Sequence, residues 1–115
     1  MILPENYIIE KADQKEVKIS FTLKDTLFYL NGHFRSQPLL PGVVQLGWAI
    51  HFAKELFCIN TVNNMPQVKF TQPIVPEDKV LLTLKLNKEK NNFTFEYFVL
   101  NIDKVASSGK VKIND

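Results

Sequence analysis

Gly32-His33-Phe34 precedes Pro38, Pro41, Gly42 and Val43 by a few positions, and His33 is one of only two histidines. An imidazole titrates near neutrality and can take or give a proton there. The turn beyond it is stiffened by proline and opens into an apolar stretch with helical character. The first backbone N–H groups of a helix lack intrahelical acceptors and hold negative charge well. A base beside such N–H groups suits chemistry on a carbonyl, where proton removal drives charge onto oxygen.

Those residues need a frame. The stretch from Gly42 to Phe57 predicts one helix, with Pro41 at its start, where a missing N–H costs nothing. Val43, Val44, Leu46, Trp48, Ala49, Ile50, Phe52, Ala53, Leu56 and Phe57 give it apolar residues on nearly every side. Such a helix is expected to be buried on most faces. Around it the period changes to two. Tyr7–Glu10 reads as a short strand, and Lys15–Leu23 alternates Val17, Ile19, Phe21 and Leu23 with Lys18, Ser20 and Thr22. Val68–Ile74 and Val80–Leu86 are further strands. Lys88–Asn92 is a polar hairpin connection. Phe93, Phe95, Tyr97 and Val99 alternate with Thr94, Glu96 and Phe98 as core and cross-strand packing, and Val105–Ile113 closes the pattern. Strands, one apolar helix, then antiparallel strands predict an α+β domain whose curved antiparallel sheet wraps one long central helix.

Size and charge narrow the function. The 115 residues suffice for one domain, 1–115, and are 45% hydrophobic and 23% charged, as in a folded soluble protein. The net charge is +2, and all basic residues but Arg35 are lysines scattered along the chain, so no nucleic-acid face is expected. No apolar run approaches the roughly 20 residues of a membrane span, and the first residues do not resemble a signal peptide. Cys58 is the lone cysteine, which excludes an internal disulfide and favours a reducing cytoplasm; it is expected in core or edge packing. No His/Cys/Asp cluster has metal-ligand spacing, and no glycine-rich phosphate loop is present.

Two motifs together resemble the hot-dog fold, and within it the 3-hydroxyacyl-thioester dehydratases of the FabA/FabZ type. Gly-His-Phe-x-x-x-Pro-x-x-Pro-Gly-Val is matched by Gly32, His33, Phe34, Pro38, Pro41, Gly42 and Val43. Lys-Phe-x-x-Pro-Ile-x-Pro-x-Asp is matched by Lys69, Phe70, Pro73, Ile74, Pro76 and Asp78. Leu39–Leu46 followed by Trp48-Ala49 is most similar to the ApeI type of aryl-polyene gene clusters. The resemblance implies that His33 removes the proton next to a thioester carbonyl and that the Gly42 N–H holds the carbonyl oxygen. It implies an acyl slot at Phe34, Pro41, Val43 and Trp48, although Trp48 equally suits core packing or subunit contact. It implies no cofactor, the substrate being carried on the phosphopantetheine of acyl carrier protein or coenzyme A. It further implies a dimer in which an acid on the central helix of the opposite subunit protonates the departing hydroxyl.

That acid falls here on Gly47, which can neither donate a proton nor hold a hydroxyl. The family's Pro-Gly after His-Phe is Arg35-Ser36, and Arg35 is either solvated or a contact for the carrier-arm phosphate. Gln45 lies nearly opposite Gly47 on the helix, and Glu55 is two turns on, roughly 12 Å along the axis. His51, one turn on and on the same face, could donate as imidazolium, or is simply a partly exposed polar position. Four functions follow: a dehydratase with a substitute acid; a subunit, in a homo- or heterodimer, that completes its site with a related chain; a thioesterase, for which the helix lacks the expected acid; or a non-enzymatic acyl-thioester binder.

Overall fold

The computed structural model describes residues 2–24 and 39–115. His33, Phe34 and Arg35 lie outside the described residues. Among the described residues seven elements follow in order: β1 (Ile8–Ala12), β2 (Glu16–Thr22), α1 (Gly42–Leu56), β3 (Gln67–Phe70), β4 (Lys79–Asn87), β5 (Asn92–Val99) and β6 (Lys104–Lys112). The strands form one antiparallel sheet in the order β1-β2-β4-β5-β6-β3.

Period-two alternation decides which side of this sheet is dry. Val17, Ile19 and Phe21 of β2 turn inward with Val80, Leu82 and Leu84 of β4 and Phe93, Phe95, Tyr97 and Val99 of β5. The register makes these residues direct partners: Ile19 opposes Leu82, and Leu82 opposes Tyr97. A slip of one residue would turn the whole apolar set to solvent, so burial itself fixes the pairing. Helix α1 lays Val44, Trp48, Ala49, Phe52 and Ala53 against this inner face. Trp48 is wholly buried, meets Phe21 edge-to-face with ring centroids 5.5 Å apart, and donates its indole N–H to the Ile2 carbonyl at 2.8 Å.

Three expectations need correcting. The helix is not covered on most faces: Val43 is 78% exposed, and Leu46, Gly47, Ile50 and His51 are only half-buried. Its apolar residues exceed what one sheet face can cover. Strand β3 ends at Phe70 rather than Ile74, because the next two N–H groups, of Thr71 and Gln72, both turn to the Ala106 carbonyl and leave the ladder. Cys58 is not packed away. It is exposed, just beyond the helix, with a left-handed φ of 57°.

The second motif acts as a structural clasp. Ile74 is wholly buried and accepts the Leu40 N–H at 2.8 Å. The buried Asp78 carboxylate accepts the Val75 N–H and the Asn101 side-chain amide, both at 3.0 Å. The Pro73–Asp78 stretch thereby grips the segment leading into α1.

Candidate active site at the start of the central helix

The helix begins without an ordinary cap. Pro41 occupies the N-cap with extended backbone (φ −60°, ψ 145°), offers no side-chain acceptor, and no acid follows in the first turn. Its carbonyl accepts the N–H groups of Val44 and Gln45, both at 3.1 Å. The N–H groups of Gly42 and Val43 are left with no acceptor among the described residues. They are the donors to which a carbonyl oxygen carrying negative charge would bind.

Beside them lies a cavity of about 490 Å³ lined by Leu39, Leu40, Gly42, Gln45, Phe70 and the Thr71–Pro73 turn. That volume suits a small ligand or the reacting end of a larger one. The Phe70 ring packs closely over Gly42: a Cβ there would stand 2.6 Å from the ring tip and would push this half-exposed side chain aside. Among the described residues none that lines the cavity carries a titratable side chain. These residues supply shape and N–H donors.

The sequence-predicted residues divide accordingly. Gly42 lines the cavity and Pro41 caps the helix beside it, while the exposed side chain of Val43 projects from the helix start. Trp48 is absent from the cavity wall and belongs to the core. Gly47 and His51 share the half-covered side of α1, where the His51 ring meets Phe52 edge-to-face at 5.4 Å. Among the described residues no group of His, Cys, Asp and Glu could hold a metal, and no helix is long and apolar enough to cross a membrane.

Sequence reasoning gave Gln45 no role. It is a buried polar residue on the apolar side of the helix, 3% exposed, and it lines the cavity. Its amide nitrogen donates to the Leu40 carbonyl at 3.1 Å, and its amide oxygen accepts from the Ser107 hydroxyl at 2.6 Å. Its backbone carbonyl accepts from the Tyr97 hydroxyl at 2.6 Å. Burial pushes the Tyr97 phenol well above its ordinary range, so it stays neutral and donates. The signal that could have found Gln45 was an amide side chain among apolar helix neighbours.

A six-stranded antiparallel sheet packed on the one helix among the described residues defines the hot-dog fold. Comparison with known proteins makes the assignment narrower. The family model described as ApeI dehydratase matches residues 9–110, so the chain belongs to the ApeI-like dehydratase family. The 3-hydroxyacyl-[acyl-carrier-protein] dehydratase FabZ of Clostridium botulinum is 30% identical, over 96% of this chain and 88% of its own length. Its Streptococcus mutans counterpart is 29% identical, over 94% and 83%. Among solved structures, the dehydratase heterocomplex ApeI:P of Xenorhabdus doucetiae superposes with a TM-score of 0.78 at 35% identity, covering 96% of each chain. Mouse thioesterase superfamily member 2 superposes with a TM-score of 0.77 at 9% identity, over 96% and 84%, and shares the fold.

Proposed function

We propose that this chain dehydrates a 3-hydroxyacyl thioester carried on acyl carrier protein, and that a related hot-dog chain completes its site. The observation that carries this reading is the cavity of about 490 Å³ lined by Gly42 at the helix start, where the Gly42 and Val43 N–H groups have no acceptor among the described residues. Membership of a dehydratase family and the dehydratase heterocomplex among its structural relatives support it.

The step is an elimination. The thioester carbonyl oxygen binds at the helix start, which acidifies the neighbouring C2–H. His33 takes that proton. The electron pair becomes the C2–C3 double bond, the C3–O bond breaks, and the hydroxyl leaves as water with a proton from an acid. The products are a trans-2-enoyl thioester and water. No cofactor is consumed, because nothing is oxidised or reduced. General acid and base groups each contribute roughly 10²–10⁴-fold. With Gly47 at that position a second copy of this chain cannot supply the acid, so it comes from the helix of a related partner chain. Fatty-acid or polyene extension in the cytoplasm is the setting, and coenzyme A is a second possible carrier of the same thioester.

One observation favours a self-sufficient site instead. His51 stands on the same side of α1 as Gly47, one turn along, and is only half-buried. The test offers a 3-hydroxyacyl thioester to the chain alone and to the chain with an acid-bearing relative. Enoyl absorbance and free thiol are followed together. Enoyl formation only with the relative, unaffected by His51→Ala, is the expected result. Enoyl formation by the chain alone that His51→Ala abolishes assigns the acid to His51. Thiol release without enoyl product overturns dehydration in favour of hydrolysis.

A further inference from the structure

We infer that Gln45 is a positioning residue that fixes the carbonyl-binding start of α1 while leaving the Gly42 and Val43 N–H groups open. The inference rests on the dehydratase reading and adds the device that holds its carbonyl site in place.

A helix start is ordinarily fixed by a side chain that accepts its first N–H groups. Such a cap would consume donors that a thioester oxygen needs. Nor can the reciprocal device operate here, in which an acid or amide side chain in the first turn reaches back to the N-cap N–H. The N-cap is Pro41, which has no N–H.

Gln45 solves both problems by reaching past the proline. Its amide nitrogen donates to the carbonyl of Leu40, the residue before the cap. That requires a donor, so glutamine serves where ionised glutamate would fail. The amide oxygen is held by the Ser107 hydroxyl of β6, and the Leu40 N–H is held by the Ile74 carbonyl. Leu40 is thus clamped at both its N–H and its carbonyl. The Tyr97 hydroxyl secures the backbone of Gln45 itself. Every bond goes to a carbonyl or to the glutamine side chain, and none uses a first-turn N–H. Gln45 also forms part of the cavity wall, so a shift of the strut moves the wall and the donors together.

The strut acts through geometry, so its loss should lower turnover more than binding. Misplacing a reacting group by about 1 Å costs on the order of 10²-fold. The test uses the active complex with its partner chain, comparing wild type, Gln45→Met and Ser107→Ala. Gln45→Met nearly keeps the volume and removes both side-chain hydrogen bonds; Ser107→Ala removes only the second. Expected for Gln45→Met is a fall in kcat of roughly 10–100-fold with KM within about twofold, and for Ser107→Ala a smaller fall of the same kind. Amide NMR supplies a second readout: a stable acyl-pantetheine thioether should shift the Gly42 amide resonance in wild type and much less in Gln45→Met. Folded Gln45→Met with wild-type kcat, or with loss confined to KM, overturns the inference. Should Gln45→Met not fold, Ser107→Ala decides by the same split. A wild-type complex that neither turns over nor shifts Gly42 overturns the dehydratase reading itself. Turnover with variants equal to wild type overturns only the strut.

Discussion

The two sides of α1 are built to different rules. On one side Trp48, Ala49, Phe52 and Ala53 are closed over by the sheet, and the polar groups of Gln45 and Trp48 all have partners. On the other, Val43 is open to solvent and Leu46, Gly47, Ile50 and His51 are half-covered. Apolar residues occur on both sides, so hydrophobicity alone does not explain the difference. The first side supplies the folding free energy. The second carries Gly47 and His51, and in the proposed function it is the side a partner chain covers.

This contrast can be broken most forcefully from the buried side. Trp48→Ala should destabilise the isolated chain by about 3–5 kcal/mol, because it opens a large cavity in the core. Denaturant unfolding checks this; a loss under about 1 kcal/mol would show that this side is loosely packed. Gly109→Ala follows at about 1–3 kcal/mol. The added Cβ would stand 2.5 Å from the buried Phe95 ring and 2.7 Å from the Gln67 carbonyl, neither of which can easily yield. On the open side, Val43→Ser should leave unfolding within about 0.5 kcal/mol and weaken association with the partner chain. Equal stability loss at positions 43 and 48 would erase the distinction. The smallest effect lies just beyond the C-terminal end of the helix. The Asn60 and Thr61 N–H groups donate to the Asp115 carboxylate, both at 2.7 Å, and hold its pKa below the ordinary value of 3.8. A depressed folded-state pKa stabilises above the unfolded value, and that contribution disappears as pH falls through the folded one. Asp115→Asn should therefore lose a little stability at pH 7 and match wild type in strong acid, as read by thermal melts.

The same contrast marks what could be read from the chain. Alternation in Val17–Leu23 and Phe93–Val99 announced β2 and β5 with their inward faces, since a strand's period and its burial are one constraint. The helix limits were nearly legible, because Pro41 and Gly42 mark its start. Sheet order was not: β3 lies beyond the last strand, at the edge beside β6, and only long-range register decides that. Nor was the half-covered helix side, because in the sequence an apolar residue left half-covered looks like one meeting its own sheet. At the site, Gly47 at the acid position is what the family resemblance implies, and spacing alone does not show it. The Gln45 strut was not legible either, since its Ser107 and Tyr97 partners come from strands far along the chain.

The central claim is that this chain brings base and carbonyl site and lacks only the acid. The most direct measurement mixes it with a related hot-dog chain that carries the helix acid and follows enoyl formation from a 3-hydroxyacyl-carrier thioester. The account predicts rapid dehydration by the mixture, little by this chain alone, and a loss of roughly 10²–10⁴-fold when His33→Ala is made in this chain. Undiminished dehydration by the mixture carrying His33→Ala would contradict it.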